Sequence, residues 1–218
     1  RRAAGSYLLL LNPDTVLPPD ALQKMVEYMA SHPEAGIAGP KLVRQDGSLD
    51  LACRRSFPSP EVSFYRMLGL SKLFPRSSRF GRYNLTYLDP DRPAEVDSVV
   101  GAFMIVRSEA VIQVGMLDES FFMYGEDLDW AFRIKSRGWK VLYNPAVVVL
   151  HYKGESSRRH PRKAILEFYR AMHLFYRKHY AAQTNVLLGA LIVAAIWAKC
   201  AFTLALNYLR PAEARKIS

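Results

Sequence analysis

Residues 96–150 read VDSVVGAFMIVRSEAVIQVGMLDESFFMYGEDLDWAFRIKSRGWKVLYNPAVVVL. Val96 to Val106 is an apolar run broken by Gly101, the length and composition of a buried strand. Ser108 to Val114 continues as a short helix stopped by Gly115. Gly125-Glu126-Asp127 opens a second helix that runs to Arg137, and Gly138 closes it, as glycine past a helix end commonly does. Trp139–Tyr143 and Ala146–Leu150 are two further β-rich runs. Alternation of strand and helix at this spacing predicts an α/β domain.

Working outward, Ser6–Leu11 (SYLLLL) is a short continuous apolar run ended by Asn12-Pro13. That pattern predicts a central parallel strand buried on both faces. Pro18-Pro19-Asp20 opens a helix whose Leu22, Met25, Val26 and Met29 fall at helical spacing, and His32-Pro33 stops it. Ile37–Val43 and Leu49–Arg54 read as strands around a Gln45-Asp46-Gly47 turn. Residues 57–93, rich in Pro, Ser and Arg, read as an irregular, partly helical insertion. Pro161 to Tyr180 is a basic, aromatic helix, and Val186 to Leu209 is almost wholly apolar. The expected division is a domain over 1–180 and a membrane-associated helical segment over 181–218.

The chain has 218 residues, half of them hydrophobic, and a formal net charge of +10. A packed core fits this composition and disorder does not. Two cysteines, Cys53 and Cys200, lie in regions of different character, so a disulfide framework is not expected and a reducing compartment is the simpler reading. Between His151 and Tyr180 eight Lys/Arg stand against Glu155 and Glu167, a cluster that asks for an anionic partner. No signal peptide pattern is visible. The chain opens at Arg1 and runs straight into an apolar strand, so further sequence upstream is expected.

Three groups of residues could carry chemistry. Asp14, in Asn12-Pro13-Asp14, sits at the carboxyl end of the first strand, where open α/β sheets bind ligands. Its carboxylate is either a ligand for Mg²⁺ or Mn²⁺ or a solvated turn acid. Glu126, Asp127 and Asp129 surround a helix start and are followed by Trp130. They are either ordinary N-terminal acids favoured by the helix dipole or, directly after the apolar run Phe121–Tyr124, a general base at the rim of an apolar wall. His151 closes the strand Val147–Leu150, either as a structural ring or as a metal ligand beside Asp14.

SYLLLLNPDTVLPPDAL, the block from Val99 to Trp139, and HYKGESS at 151–157, in that order, resemble glycosyltransferase family 2, closest to its rhamnosyltransferase-like branch. The resemblance covers about residues 1–180. It implies a GT-A-like, mostly parallel sheet flanked by helices, here lacking its first βα units, with the hydrophobic helical segment appended. It also implies inverting, metal-dependent transfer of a sugar, rhamnose in this branch, from a nucleotide-sugar donor. The acceptor would be a lipid-linked glycan or polysaccharide in cell-envelope assembly.

Asp14 matches the metal-binding acid of the family's DXD motif, with Asn12 in its first position. Asp127 matches the catalytic base of the Glu-Asp motif, with Glu126 its neighbour. His151 matches a histidine that completes the Mg²⁺ or Mn²⁺ site. Gly101 and Ala102 match the loop that approaches the donor sugar, and Asp129 and Trp130 fall in the donor/acceptor-binding block. Without the nucleotide-gripping lobe, residues 1–218 alone are expected to be inactive.

The helix from Pro161 carries Arg162, Lys163, Arg170, Arg177 and Lys178 among aromatics, the composition of a bilayer interface or of a solvated helix packed on the domain. Val186–Leu209 is long enough to span a bilayer. Lys199, Thr203 and Asn207 recur every fourth residue, a stripe facing a partner helix or the interface. The positive-inside rule puts the basic helix at the cytoplasmic face of the membrane, with anionic lipid rather than nucleic acid as partner. The competing reading is an inactive membrane-docked interaction module.

Overall fold

The computed structural model describes residues 3–152 and 161–209. They fall into two compact units, one of residues 1–117 with 127–153 and the other of 118–126 with 154–218. The basic helix shares its apolar face with the C-terminal helix and groups with it in the second unit.

The first unit is built on a six-stranded mixed sheet. Its strands are β1 (Tyr7–Leu11), β2 (Thr15–Val16), β3 (Ala35–Val43), β4 (Ala94–Val96), β5 (Phe103–Arg107) and β6 (Lys140–His151). The order is β1-β5-β3-β6-β2, with β4 also on β6. The α/β class with flanking helices stands, but the strands are not mostly parallel. Only β3 and β6 run parallel; β1–β5, β3–β5, β2–β6 and β4–β6 are antiparallel. Within these residues β1 pairs with β5 and stands at the end of the strand order, with Leu9 and Leu11 exposed. An apolar run records burial but not the direction of its neighbour.

Two other strand assignments change. The Val96–Val106 run is two strands, because the loop at Val99–Ala102 leads the chain from β4 beside β6 to β5 beside β3. Leu49–Arg54 is not a strand. Leu49 makes a single bridge to Val43, and Leu51–Cys53 is one turn of 3₁₀ helix. Asp50 accepts a hydrogen bond from the Ala52 N–H at 3.2 Å and so turns the chain. In the other direction, Trp139–Tyr143 and Ala146–Leu150 merge into the single strand β6, whose pairing with β3 passes from Pro40–Asn144 to Lys41–Val148, a register shift that absorbs Pro145, Ala146 and Val147.

Helices α1 (Ala21–Ser31), α4 (Ser108–Val114) and α5 (Glu126–Lys135) lie where periodicity and caps place them. The insertion holds α2 (Pro60–Met67) and α3 (Leu70–Leu73). The core joins Met25 and Met29 of α1 and Ile134 of α5 to Ile37, Val106 and Val141 of the sheet. Arg54, 2% exposed, fastens the insertion by donating to the Leu88 and Asp89 carbonyls at 2.8 Å each.

In the second unit, α6 (Pro161–His179) packs on α7 (Val186–Leu209) through Ile165 and Tyr169 against Ile196 and Cys200. The polar stripe of α7 is partly spent here. Thr203 shares a 2.9 Å hydrogen bond with Tyr169, and Asn207 is buried. Lys178 of α6 is paired with Asp118 at 2.6 Å, and Lys163 lies over the Phe122 ring. These two cations therefore have partners inside the unit. Cys53 and Cys200 are both free and buried.

Candidate functional site

Pairing of β2 with β6 sets Thr15 opposite His151, and the Tyr152 N–H donates to the Asp14 carbonyl at 2.8 Å. Asp14 and His151, 137 positions apart in sequence, are thereby neighbours: His151 Nε2 lies 3.5 Å from Asp14 Oδ1. The other ring nitrogen, Nδ1, lies 3.0 Å from Oδ2 of Asp50, a carboxylate with no solvent exposure. Asp14 Oδ1 is buried and makes no hydrogen bond among the described residues. A divalent cation fits that atom set. Bonds of about 2.0–2.3 Å to oxygen and nitrogen place two ligand atoms roughly 3–3.5 Å apart. Among the described residues no third His, Cys, Asp or Glu converges with a pair to make a complete cage. The remaining positions would fall to water and phosphate oxygens, the usual arrangement for Mg²⁺.

Asp127, 6% exposed, lies in the first turn of α5. Its Oδ2 accepts from Arg55 Nη2 at 2.7 Å and from the Gly101 N–H at 3.0 Å. Its Oδ1 accepts from the Leu128 N–H at 2.7 Å. Arg55 Nη2 also donates to the Val99 carbonyl at 3.2 Å, so guanidinium and carboxylate together clamp the loop between β4 and β5. Burial opposes the charge on Arg55, but the Asp127 carboxylate and the Tyr83 hydroxyl together outweigh it and drive the guanidinium pKa up.

The same loop reaches the Asp14 turn. The Asn12 N–H donates to the Ala102 carbonyl at 3.0 Å, and Thr15 Oγ1 to the Asn12 carbonyl at 2.7 Å. Asn12, Asp14, Gly101, Ala102, Asp127 and His151 thus belong to one unit, joined through this loop. Glu126, which begins α5, groups with segment 118–126 of the other unit. The chain enters α5 through two left-handed residues, Tyr124 at φ 68° and Gly125 at φ 85°.

Asp129 and Trp130 do not join this group. Asp129 has no exposure and pairs with Arg133 at 2.8 Å, and Arg133 also holds the Val114 and Met116 carbonyls. The Trp130 indole, 2% exposed, donates to the Gly115 carbonyl at 2.9 Å. Both side chains are consumed in docking α5 against the end of α4, so neither offers a surface for a donor or acceptor. Gly154-Glu155-Ser156-Ser157 lies outside the described residues.

Asp50 and Arg55 are functional candidates that the sequence reading missed. Their one signal was a set of charges, Asp50, Arg54 and Arg55, in a stretch otherwise carrying Leu49, Leu51, Cys53 and Phe57.

Residues 1–171 match a family described as glycosyltransferase like family 2. The N-acetylglucosaminyl-diphospho-decaprenol L-rhamnosyltransferase of Mycobacterium tuberculosis is 30% identical over 170 residues, 78% of this chain and 54% of that protein. The rhamnosyltransferase WbbL of Escherichia coli K12 is 32% identical over 192 residues, 86% of this chain and 66% of that protein. The chain spans between half and two thirds of the length of these relatives. Among solved structures, that of GalNAc-T7 with UDP, GalNAc and Mn²⁺ overlaps at a TM-score of 0.45 and 14% identity, over 95% of this chain and 42% of that one.

Proposed function

This chain belongs to glycosyltransferase family 2, and we propose that it carries the catalytic part of an inverting sugar transferase. The names of two relatives support rhamnose as the sugar, and that of the Mycobacterium tuberculosis protein supports a lipid-linked diphosphate glycan as the acceptor class; the proposed donor is a nucleotide sugar and the proposed context envelope glycan assembly. The observation that carries the reading is Asp127, an anion fixed by Arg55 and Gly101 on one oxygen.

A carboxylate oxygen has two acceptor directions. Oδ1 receives one bond, from Leu128, which leaves the other for an acceptor hydroxyl. Asp127 takes that proton as the hydroxyl oxygen attacks the anomeric carbon and the bond to the diphosphate oxygen breaks. One displacement inverts the anomeric centre. Asp14 and His151 would hold a Mg²⁺ or Mn²⁺ ion, whose charge offsets that developing on the departing diphosphate. The Asn12–Asp14 turn and Gly101–Ala102, tied by a backbone hydrogen bond, would line the donor sugar's position.

Membrane association belongs to the same proposal. Helix α7 has 24 residues, and its most apolar 18-residue stretch has a mean hydropathy of 2.1 with 11% of it buried. At about 1.5 Å per residue it is long enough to cross the hydrocarbon core. The basic α6 would lie at the cytoplasmic face, although Lys178, Lys163, Arg162 over the Tyr208 ring and Arg170 beside Glu167 are engaged within the unit, which weakens their attraction to anionic lipid. Flotation with liposomes tests this: deleting 186–209 should abolish it, and unchanged flotation would place the membrane contact elsewhere. For the chemistry, EDTA should abolish sugar transfer and Mn²⁺ or Mg²⁺ should restore it; transfer indifferent to EDTA contradicts the cation reading.

A further inference from the structure

We propose that Asp50 is a positioning residue that fixes the His151 ring with its proton on Nδ1, so that Nε2 presents a lone pair on the side of Asp14. The inference rests on the reading of Asp14 and His151 as a cation-binding pair and adds the group that makes the histidine competent.

Backbone structure sets Asp50 in place before its side chain acts. The Asp50 N–H donates to the Leu42 carbonyl of β3 at 2.9 Å, and Leu49 bridges Val43. Val43 is in register with Leu150 of β6, the residue before His151. Two adjacent strands therefore hold the carboxylate and the ring. The carboxylate then divides its oxygens, Oδ1 toward the Ala52 N–H at 3.2 Å and Oδ2 toward His151 Nδ1 at 3.0 Å.

An ionised carboxylate only accepts hydrogen bonds, so the proton between them sits on Nδ1, and in a neutral imidazole the lone pair is then on Nε2. That lone pair faces Asp14 Oδ1 across 3.5 Å, where two acceptors with nothing between them repel. The buried Asp14 Oδ1, without a hydrogen bond, is the second half of that mismatch. A cation held by both atoms resolves it. The alternative, an imidazolium donating to both carboxylates, needs a proton on each nitrogen and gives the ring no ligand atom.

Asparagine separates these. Asp50→Asn keeps the shape and an oxygen for the Ala52 N–H, but turns an N–H toward Nδ1 and so moves the ring proton to Nε2. The assay is ¹⁵N NMR of the His151 ring in the full chain without metal, followed by Mn²⁺ titration read as paramagnetic broadening of the same ring. Wild type should show the proton on Nδ1 and broaden. Asp50→Asn should show it on Nε2 and need about 10–100-fold more Mn²⁺, the usual effect of losing a group that orients a ligand.

A wild-type proton on Nε2, or on both nitrogens, overturns the proposal without any variant, as does an Asp50→Asn protein that broadens like wild type. A wild-type ring with the Nδ1 proton and no broadening supports orientation by Asp50 and overturns the cation reading beneath it.

Discussion

Replacing Arg55 with methionine should destabilise the first unit severely. The Arg55 and Asp127 side chains are 10% and 9% exposed and 2.7 Å apart, so solvent does little to screen them. Methionine keeps much of the volume, but leaves the Asp127 carboxylate buried with only the N–H groups of Gly101 and Leu128. Removing one partner of a buried pair costs about 3–5 kcal/mol. For a protein of this size each kcal/mol lowers Tm by about 2–4 °C, so a fall of roughly 6–20 °C is expected. Thermal unfolding in detergent micelles measures it. A cycle with Asp127→Asn and the double variant should be strongly non-additive, because either single change strands its partner. A loss below about 1 kcal/mol, the range of surface pairs, would refute the claim that this ion pair is desolvated and holds the loop.

Gly39→Ala should cost about 1–3 kcal/mol in the same assay, since a Cβ there would meet Val99 Cβ at 2.7 Å; an unchanged Tm would mean that the Val99 segment yields freely. Asp118 is held well below the usual carboxylate range by the Lys178 hydrogen bond and then by Ser120. A depressed carboxyl stabilises above its unfolded pKa, about 3.9, and that contribution fades as pH falls through the folded value. Asp118→Asn should therefore lower stability at neutral pH and converge with wild type in acid, as pH-dependent Tm curves will show; parallel curves would contradict the pairing.

Helix limits were legible where the signal is local: α4 ends at Gly115 and α1 lies between the prolines and His32 as their chemistry dictates. Strand partners were not, because the apolar run of β1 reads alike whether its neighbour runs parallel or, as β5 does, antiparallel. Leu49, Leu51 and Cys53 alternate as a strand would, yet the buried carboxylate of Asp50 turned that segment. The site shows the same division. Asp14, Asp127 and His151 were visible as residue types at element ends, whereas Arg55 acts across 72 positions and Asp50 across 101. Asp129 and Trp130 stand in a motif that looks chemical, and packing claimed them both.

The most direct test is turnover with Asp127→Asn, measured as transfer of labelled sugar from a nucleotide-sugar donor to a lipid-linked acceptor in a preparation whose parent is active. Asparagine keeps the side chain's shape and one acceptor oxygen, sets an amide N–H where the second oxygen stood, and cannot take the acceptor's proton; a variant still folded by its circular dichroism spectrum is the one compared. kcat should fall by about 10²–10⁴-fold, with donor binding little changed. Turnover near that of the parent would contradict Asp127 as the base and move that role to Glu126.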